Sequence, residues 1–206
     1  MRLVFASNNS HKLEEVRAIL GADVEVLSLK EIGFQEDIEE TGETLEENSL
    51  LKAQAVWHYV QSLPERKADG VFADDTGLEI SALGGKPGVH TARWAADEGA
   101  DTADEDTSFN NRRLALRSLE GTEERRARFR TVVTLIDAEG LMQQTEGVVN
   151  GMIAEEERGA GGFGYDPVFI PEGYTQTFAE LPAEVKNGIS HRARAVEGLR
   201  RILFED

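Results

Sequence analysis

Two helices predicted in this sequence begin with basic side chains, where the helix dipole favours acidic ones. His11 and Lys12 follow the short apolar strand of residues 2–7 and open the first helix, and His191 and Arg192 open the last helix. Free backbone N–H groups make a helix start positive, so each added cation costs about 0.3–1 kcal/mol unless an anion binds there. The pattern therefore predicts anion binding at these helix starts.

The first of these helix starts lies in the stretch SNNSHK, residues 7–12, between a strand and a helix. Phosphate-binding loops occupy this position in many folds, although the glycines of the P-loop pattern are missing here. Asn8 and Asn9 can adopt left-handed conformations and donate hydrogen bonds instead. An asparagine-rich turn that merely caps the helix is the alternative.

Acidic residues occur in two further stretches, EETG at residues 39–42 and DDTG at residues 74–77, where the acids interrupt a predicted strand. Neighbouring strand residues point to opposite faces, so only one of Asp74 and Asp75 can face a given cleft. Carboxylates beside a phosphate ligand suggest Mg²⁺, which takes one or two protein carboxylates, water and the phosphates themselves. A plain Asp-Asp-Thr-Gly turn is the alternative.

The composition restricts the classes of partner. The net charge of 22 − 39 = −17 repels a phosphate backbone, which argues against nucleic acid and requires a local basic pocket for an anionic small ligand. With no cysteine in the chain, disulfides and thiolate chemistry are excluded. The sequence has no apolar run of membrane-spanning length and starts with a strand pattern, so we expect no membrane partner and a cytoplasmic location.

The remaining pattern indicates an α/β fold of one large domain or two closely joined lobes. Thr44 and Glu47 form a capping box at the start of a helix predicted for residues 44–60. Two strands, residues 127–137 and 142–155, are expected to pair, and the acidic segment 97–106 is expected to be exposed. The glycine-rich stretch GAGGFGYDP, residues 159–167, is either a surface hairpin or a loop whose aromatic rings stack on a flat ligand.

Taken together and in order, five stretches resemble the non-canonical purine nucleoside triphosphate pyrophosphatases, also called inosine/xanthosine triphosphatases. They are ASNNSHKLEEV (residues 6–16), ETGETLEENSLLKA (40–53), ADDTGLEISALGGKPGVHTARW (73–94), GAGGFGYDPVF (159–169) and AELPAEVKNGISHRARA (179–195). The resemblance implies a single domain over residues 1–206 with an elongated α/β fold. In that fold a central mixed sheet flanked by helices runs through two lobes, with the active site in the cleft between them.

The resemblance also implies an activity and an assembly. Members of this family hydrolyse ITP, dITP and XTP to the monophosphate and pyrophosphate with Mg²⁺, which cleanses the nucleotide pool, and they are usually homodimers. Two alternatives stay open: a Maf-like pyrophosphatase acting on pyrimidine nucleotides, and a nucleotide-binding protein without catalysis.

The site residues follow from the matching positions. Asp75 corresponds to the essential acid that holds Mg²⁺ and is described as the proton acceptor. Glu39 corresponds to a second metal-side acid, with Glu40 beside it leaving the register open. The expected substrate contacts are Ser7, Asn8, Asn9, Ser10, His11, Lys12, Asn48, Lys52 and Thr76 at the phosphate end, and Phe163, Gly164, Tyr165, Asp166, Lys186, Ser190, His191 and Arg192 at the base end.

Overall fold

The computed structural model describes residues 1–65, 67–100 and 106–205. Of the acidic segment expected to be exposed, residues 101–105 lie outside the described residues, while Asp97 and Glu98 are exposed. In the described part of the chain, no helix is both long enough and apolar enough to span a membrane.

The described chain contains seven strands and seven α-helices. The strands are β1 (Arg2–Phe5), β2 (Glu25–Leu27), β3 (Gly70–Ile80), β4 (Pro87–Gly88), β5 (Arg126–Ile136), β6 (Met142–Ile153) and β7 (Phe169–Pro171). The helices are α1 (Ser10–Leu20), α2 (Leu29–Ile32), α3 (Leu45–Ser62), α4 (Trp94–Asp97), α5 (Thr107–Ser118), α6 (Ala183–Ile189) and α7 (His191–Phe204).

The strands form one sheet in the order β2-β1-β3-β5-β6-β7, with β4 paired to β3. Strand β1 is parallel to both β2 and β3, whereas β4 is antiparallel to β3 and β7 is antiparallel to β6. The sheet is therefore mixed, which confirms the predicted α/β class.

The chain divides into two compact units. The first unit comprises Met1–Asp75, Thr131–Gly147 and His191–Asp206, and the second comprises Thr76–Arg130 and Val148–Ser190.

The first unit has helices on both faces of its strands. Alternate residues of β1 point to opposite faces, so Leu3 and Phe5 pack with α1 and α7 while Val4 and Ala6 pack with α3. Gly147 of β6 lies against the start of α7, where an added Cβ would fall 2.0 Å from a backbone oxygen.

The second unit has one aromatic-rich core. Phe169 stacks on Phe178 with ring centroids 5.5 Å apart, and the tilted ring of Phe129 packs on Phe169 with centroids 4.7 Å apart. This core also contains Trp94 and Tyr165, both almost fully buried.

Local signals predicted the elements well, with one correction at β3. The capping box at Thr44 and Glu47 is present and starts α3 one residue later than predicted. The acids at Asp74 and Asp75 do not interrupt their strand, because β3 runs unbroken through both. The strand tolerates the two charges because each carboxylate meets a cation on its own face of the sheet.

Candidate active site

The loop before α1 is organised by its own side chains. Asn9 caps α1, its side-chain oxygen accepting from the Lys12 backbone N–H at 3.1 Å, and the Ser7 hydroxyl accepts from the Asn9 N–H at 3.2 Å. Among the described residues every positive φ belongs to a glycine, so the left-handed conformation considered for Asn8 and Asn9 is wrong. Capping instead requires extended backbone, which Asn9 has at φ −82° and ψ 109°.

The two adjacent acids of β3 face different cations, as strand alternation predicts. Asp74 accepts from Lys12 Nζ at 2.9 Å and from Arg192 Nε at 2.9 Å, whereas Asp75 accepts from Lys52 Nζ at 3.2 Å. Burial alone would raise the pKa of Asp74, but the charges of Lys12 and Arg192 outweigh it and hold that pKa far below its usual value. Asp74 is therefore a permanent anion of the folded state.

Asp75 lies in a second cluster with Lys52 and Glu40. Lys52 Nζ donates to Glu40 Oε1 at 3.0 Å as well as to Asp75 Oδ1. Burial raises the pKa of Asp75 above the ordinary aspartate value, against the opposing effect of the two lysines. Burial disfavours charge on Lys52, but the surrounding carboxylates outweigh it and raise its pKa. Lys52 therefore stays charged, while Asp75 is a stronger proton acceptor than an exposed aspartate.

The structure distinguishes between the two neighbouring glutamates. Glu40 is half-buried and bonded to Lys52, whereas Glu39 is exposed. Asn48 fixes the loop that carries them, because its side-chain oxygen accepts from the Gly42 N–H at 2.8 Å. Asn48, expected from the sequence to contact substrate, thus also supports the position of Glu40.

The residues of this cluster fit a magnesium ion. Asp75 and Glu40 provide two carboxylates, and Asp75 Oδ2 is buried with no hydrogen-bond partner among the described residues. A buried carboxylate oxygen without a donor is costly unless a cation binds it. Among the described residues, no three or more aspartate, glutamate, histidine or cysteine side chains are grouped so that they could hold a metal ion by themselves. Mg²⁺ needs no such group, because it takes most of its ligands from water and phosphate.

In the second unit, the glycine-rich stretch is shaped by Asp166. The carboxylate accepts from the Phe163 backbone N–H at 2.9 Å and from Lys186 Nζ. Lys186 Nζ lies 4.8 Å from the centre of the Phe163 ring, a cation–π contact. Gly162, at φ +68°, passes so close that an added Cβ would fall 2.0 Å from the Asp166 carboxylate. The glycine is therefore required by both its backbone conformation and the lack of space.

Gly164 and Tyr165 of the same stretch are anchored within the second unit. Tyr165 is buried and donates its hydroxyl to the Thr91 carbonyl at 2.8 Å, and its burial raises the pKa of the phenol. The Gly164 carbonyl accepts from Arg112 Nη1 at 2.9 Å. The ring of Tyr165 thus packs in the core, while the half-buried Phe163 retains exposed surface.

The remaining sequence-predicted residues are distributed between the two units. Ser190, which ends α6, belongs to the second unit with Lys186, whereas His191 and Arg192 begin α7 in the first unit. All four are almost fully buried. Thr76 follows Asp75 in β3 and is half-buried, and Ser10 and His11 form the first turn of α1.

The sequence reasoning considered Asp74 but gave it no role of its own, and it missed two further residues of these clusters, Glu15 and Arg112. Glu15 pairs with Arg192 Nη1, and Arg112 is bonded to both Glu157 and Gly164. Glu15 lies one helical turn after Lys12, so the two side chains share one face of α1. This spacing could have indicated that Glu15 belongs to the same cluster. Arg112 carries no comparable signal, because its partners are distant in sequence.

Comparison with known proteins identifies the family. The Ham1 family model matches residues 3–202, nearly the whole chain. The chain belongs to the Ham1 family. It is 51% identical to a protein of Porphyromonas gingivalis named dITP/XTP pyrophosphatase, over 98% of this chain and 97% of that one. This result confirms the family predicted from the five sequence stretches.

Solved structures agree with this assignment. The Ham1 protein of Staphylococcus aureus superposes with a TM-score of 0.80 at 35% identity, covering 98% of each chain. A Mycobacterium abscessus structure titled nucleoside-triphosphatase / dITP/XTP pyrophosphatase gives a TM-score of 0.70 at 36% identity, covering 97% of this chain and 98% of that one. The α/β fold is thus that of the Ham1 proteins.

Proposed function

We propose that this protein hydrolyses the non-canonical purine nucleoside triphosphates ITP, dITP and XTP to the monophosphate and pyrophosphate. The observation that carries the proposal is the contact of Lys52 with both Asp75 and Glu40, which leaves one buried oxygen of Asp75 without a donor among the described residues. The names of the relatives supply the substrate class.

At the phosphate end, the lysines bind the triphosphate and the acids hold Mg²⁺. Lys12 and Lys52 provide positive charge, and the turn from Ser7 to His11 contributes hydroxyl, amide and backbone donors. Asp75 and Glu40 would hold the ion, with Glu40 in the role that the motif alone assigned to Glu39. When bound, Mg²⁺ neutralises phosphate charge and orients the chain of phosphates.

The reaction requires one proton acceptor and one leaving group. Water attacks the α-phosphorus, its proton passes to Asp75, and the bond from the α-phosphorus to the bridging oxygen breaks with release of pyrophosphate. Lys52 keeps its charge throughout and stabilises the negative charge that develops.

At the base end, Phe163 stacks on the purine ring, an interaction worth about 1–3 kcal/mol for any base. Selectivity among the bases then comes from hydrogen-bond donors that face position 6 of the purine. Hypoxanthine and xanthine present an acceptor at position 6, which pairs with a cationic donor. Lys186 can serve as this donor, and the family resemblance assigns Arg192 to the base as well. Adenine presents an amino group there, and two buried donors facing each other are expensive. Asp166 orients both Lys186 and Phe163, which belong to the same unit.

The test is pyrophosphate release from ITP in Mg²⁺, with ATP, GTP and UTP in parallel. We expect fast release from ITP, little from the others, and loss of activity in Asp75→Asn and on chelation of the metal. Glu79→Gln is the matched control, because Glu79 is a carboxylate of the same strand that pairs with Arg128. We expect it to keep wild-type activity.

Three outcomes would contradict the proposal. Preference for UTP would favour the Maf-like alternative, and ITP binding without pyrophosphate release would favour a non-catalytic binder. Equal turnover of ATP would refute the account of base selectivity. The homodimer implied by the family resemblance is a further proposal, tested by light scattering after size-exclusion chromatography.

A further inference from the structure

Asp74 is a buried carboxylate that two cations share. The residue is 1% exposed, and its two oxygens accept from different helices: Oδ1 from Lys12 of α1 and Oδ2 from Arg192 of α7, each at 2.9 Å. Both side chains are themselves largely buried, with 16% of Lys12 and 2% of Arg192 exposed. Asp74 thus fixes two cations with a single side chain.

The arrangement extends to a fourth charge. Arg192 donates through Nη1 to Glu15, which lies one turn after Lys12 on α1. The order of contacts is therefore Lys12, Asp74, Arg192 and Glu15, with alternating sign. Without the charge of Asp74, two buried cations would remain close together and repel each other, so their positions depend on this carboxylate.

We propose that Asp74 is a positioning residue that couples the phosphate-binding lysine to the base-binding arginine. This inference rests on the proposed function, in which Lys12 contacts phosphate and Arg192 contacts the purine. Because one carboxylate holds both, a change at Asp74 affects phosphate affinity and base selectivity together. The groups around Asp75 keep their own contacts and are affected less.

The decisive variant is Asp74→Asn, which keeps the shape of the side chain. Its amide has one acceptor, so it can satisfy either Lys12 or Arg192, and its NH₂ group faces the donors of the other. We expect the KM for ITP to rise by about tenfold or more, with a smaller fall in kcat, because the lost contacts orient binding groups. We expect the ratio of kcat/KM for ITP over ATP to fall by about tenfold or more.

A matched control separates positioning from simple destabilisation. Thr134→Val removes a fully buried hydroxyl of the same unit that accepts from Ser49 and Gln144 rather than from any of the four charged side chains. Melting temperatures show whether Asp74→Asn and Thr134→Val are destabilised to the same extent. Activity assays well below both melting temperatures then compare fully folded proteins. Thr134→Val should keep the KM and the ITP preference of the wild type. If Asp74→Asn also keeps the wild-type KM and the wild-type preference for ITP, the inference is overturned while the proposed function stands.

A second variant decides the question if Asp74→Asn does not fold. Glu15→Gln weakens the hold on Arg192 but leaves the contact of Lys12 with Asp74 intact. We expect it to lower the preference for ITP without changing the affinity for inorganic tripolyphosphate, measured by calorimetry. Unchanged ITP preference would overturn the inference. Absence of ITP turnover in the wild type would instead refute the proposed function.

Discussion

Gly162→Ala tests how the glycine-rich loop obtains its shape. At φ +68° an alanine costs about 1–2 kcal/mol from its left-handed backbone alone. Its Cβ would also lie 2.0 Å from the Asp166 carboxylate, which must then move away from Lys186 and the Phe163 N–H. Breaking a buried ion pair costs about 3–5 kcal/mol, so we expect a total loss of about 4–7 kcal/mol.

Gly164→Ala is the matched control in the same loop. Gly164 has nearly the same conformation, at φ +61°, but an added Cβ meets nothing within 4 Å. We expect this variant to lose about 1–2 kcal/mol from the backbone term alone. Urea unfolding followed by tryptophan fluorescence measures both, with the slope m checked for constancy. The difference between the two variants isolates the displacement of Asp166.

A double-mutant cycle extends the test. In an Asp166→Ala background the carboxylate is gone, so Gly162→Ala should cost only slightly more than Gly164→Ala does in the wild type, because the Cβ of residue 166 remains 3.0 Å away. Equal losses for Gly162→Ala and Gly164→Ala in the wild-type background would refute the reasoning. Such a result would mean that the Asp166 carboxylate moves away at negligible cost and does not fix the loop.

Four further predictions concern the metal-side acids and two other glycines. Because burial raises the pKa of Asp75 in the metal-free protein, its carboxyl group should titrate above the ordinary aspartate range when followed by NMR without Mg²⁺. Glu40→Gln should raise the Mg²⁺ concentration needed for half-maximal activity by about tenfold, whereas Glu39→Gln should not. Gly147→Ala should lose about 3 kcal/mol or more in urea unfolding, because its Cβ meets backbone that cannot move aside. Gly188→Ala, in the last turn of α6 where an added Cβ meets nothing within 4 Å, should gain about 0.5–1 kcal/mol.

Each of these predictions has an outcome that contradicts it. Titration of Asp75 within the ordinary aspartate range in the metal-free protein would mean that burial does not perturb it. Equal metal requirements in the two glutamate variants would remove the basis for choosing Glu40. A stable Gly147→Ala would show that α7 can shift away from β6 at little cost, and a destabilised Gly188→Ala would show that the position is not an ordinary helical one.

Local signals in the sequence were sufficient for much of the fold and for the family. The capping box of Thr44 and Glu47 predicts the start of α3 because its hydrogen bonds join residues three apart. Because successive side chains of a strand point to opposite faces, the sequence likewise predicts that Asp74 and Asp75 face different partners, as they do. These features depend on interactions along a few residues of chain, which the sequence displays directly.

Only the tertiary structure decided which partners these residues meet. Lys12 and Asp74 are 62 residues apart, and Asp74 and Arg192 are 118 apart, so no local pattern indicates that one carboxylate serves both cations. The choice of Glu40 over Glu39 depends on where Lys52 of α3 reaches, and the burial of Tyr165 depends on a carbonyl 74 residues away. Charge and burial are set by neighbours in space, and packing of distant segments determines those neighbours.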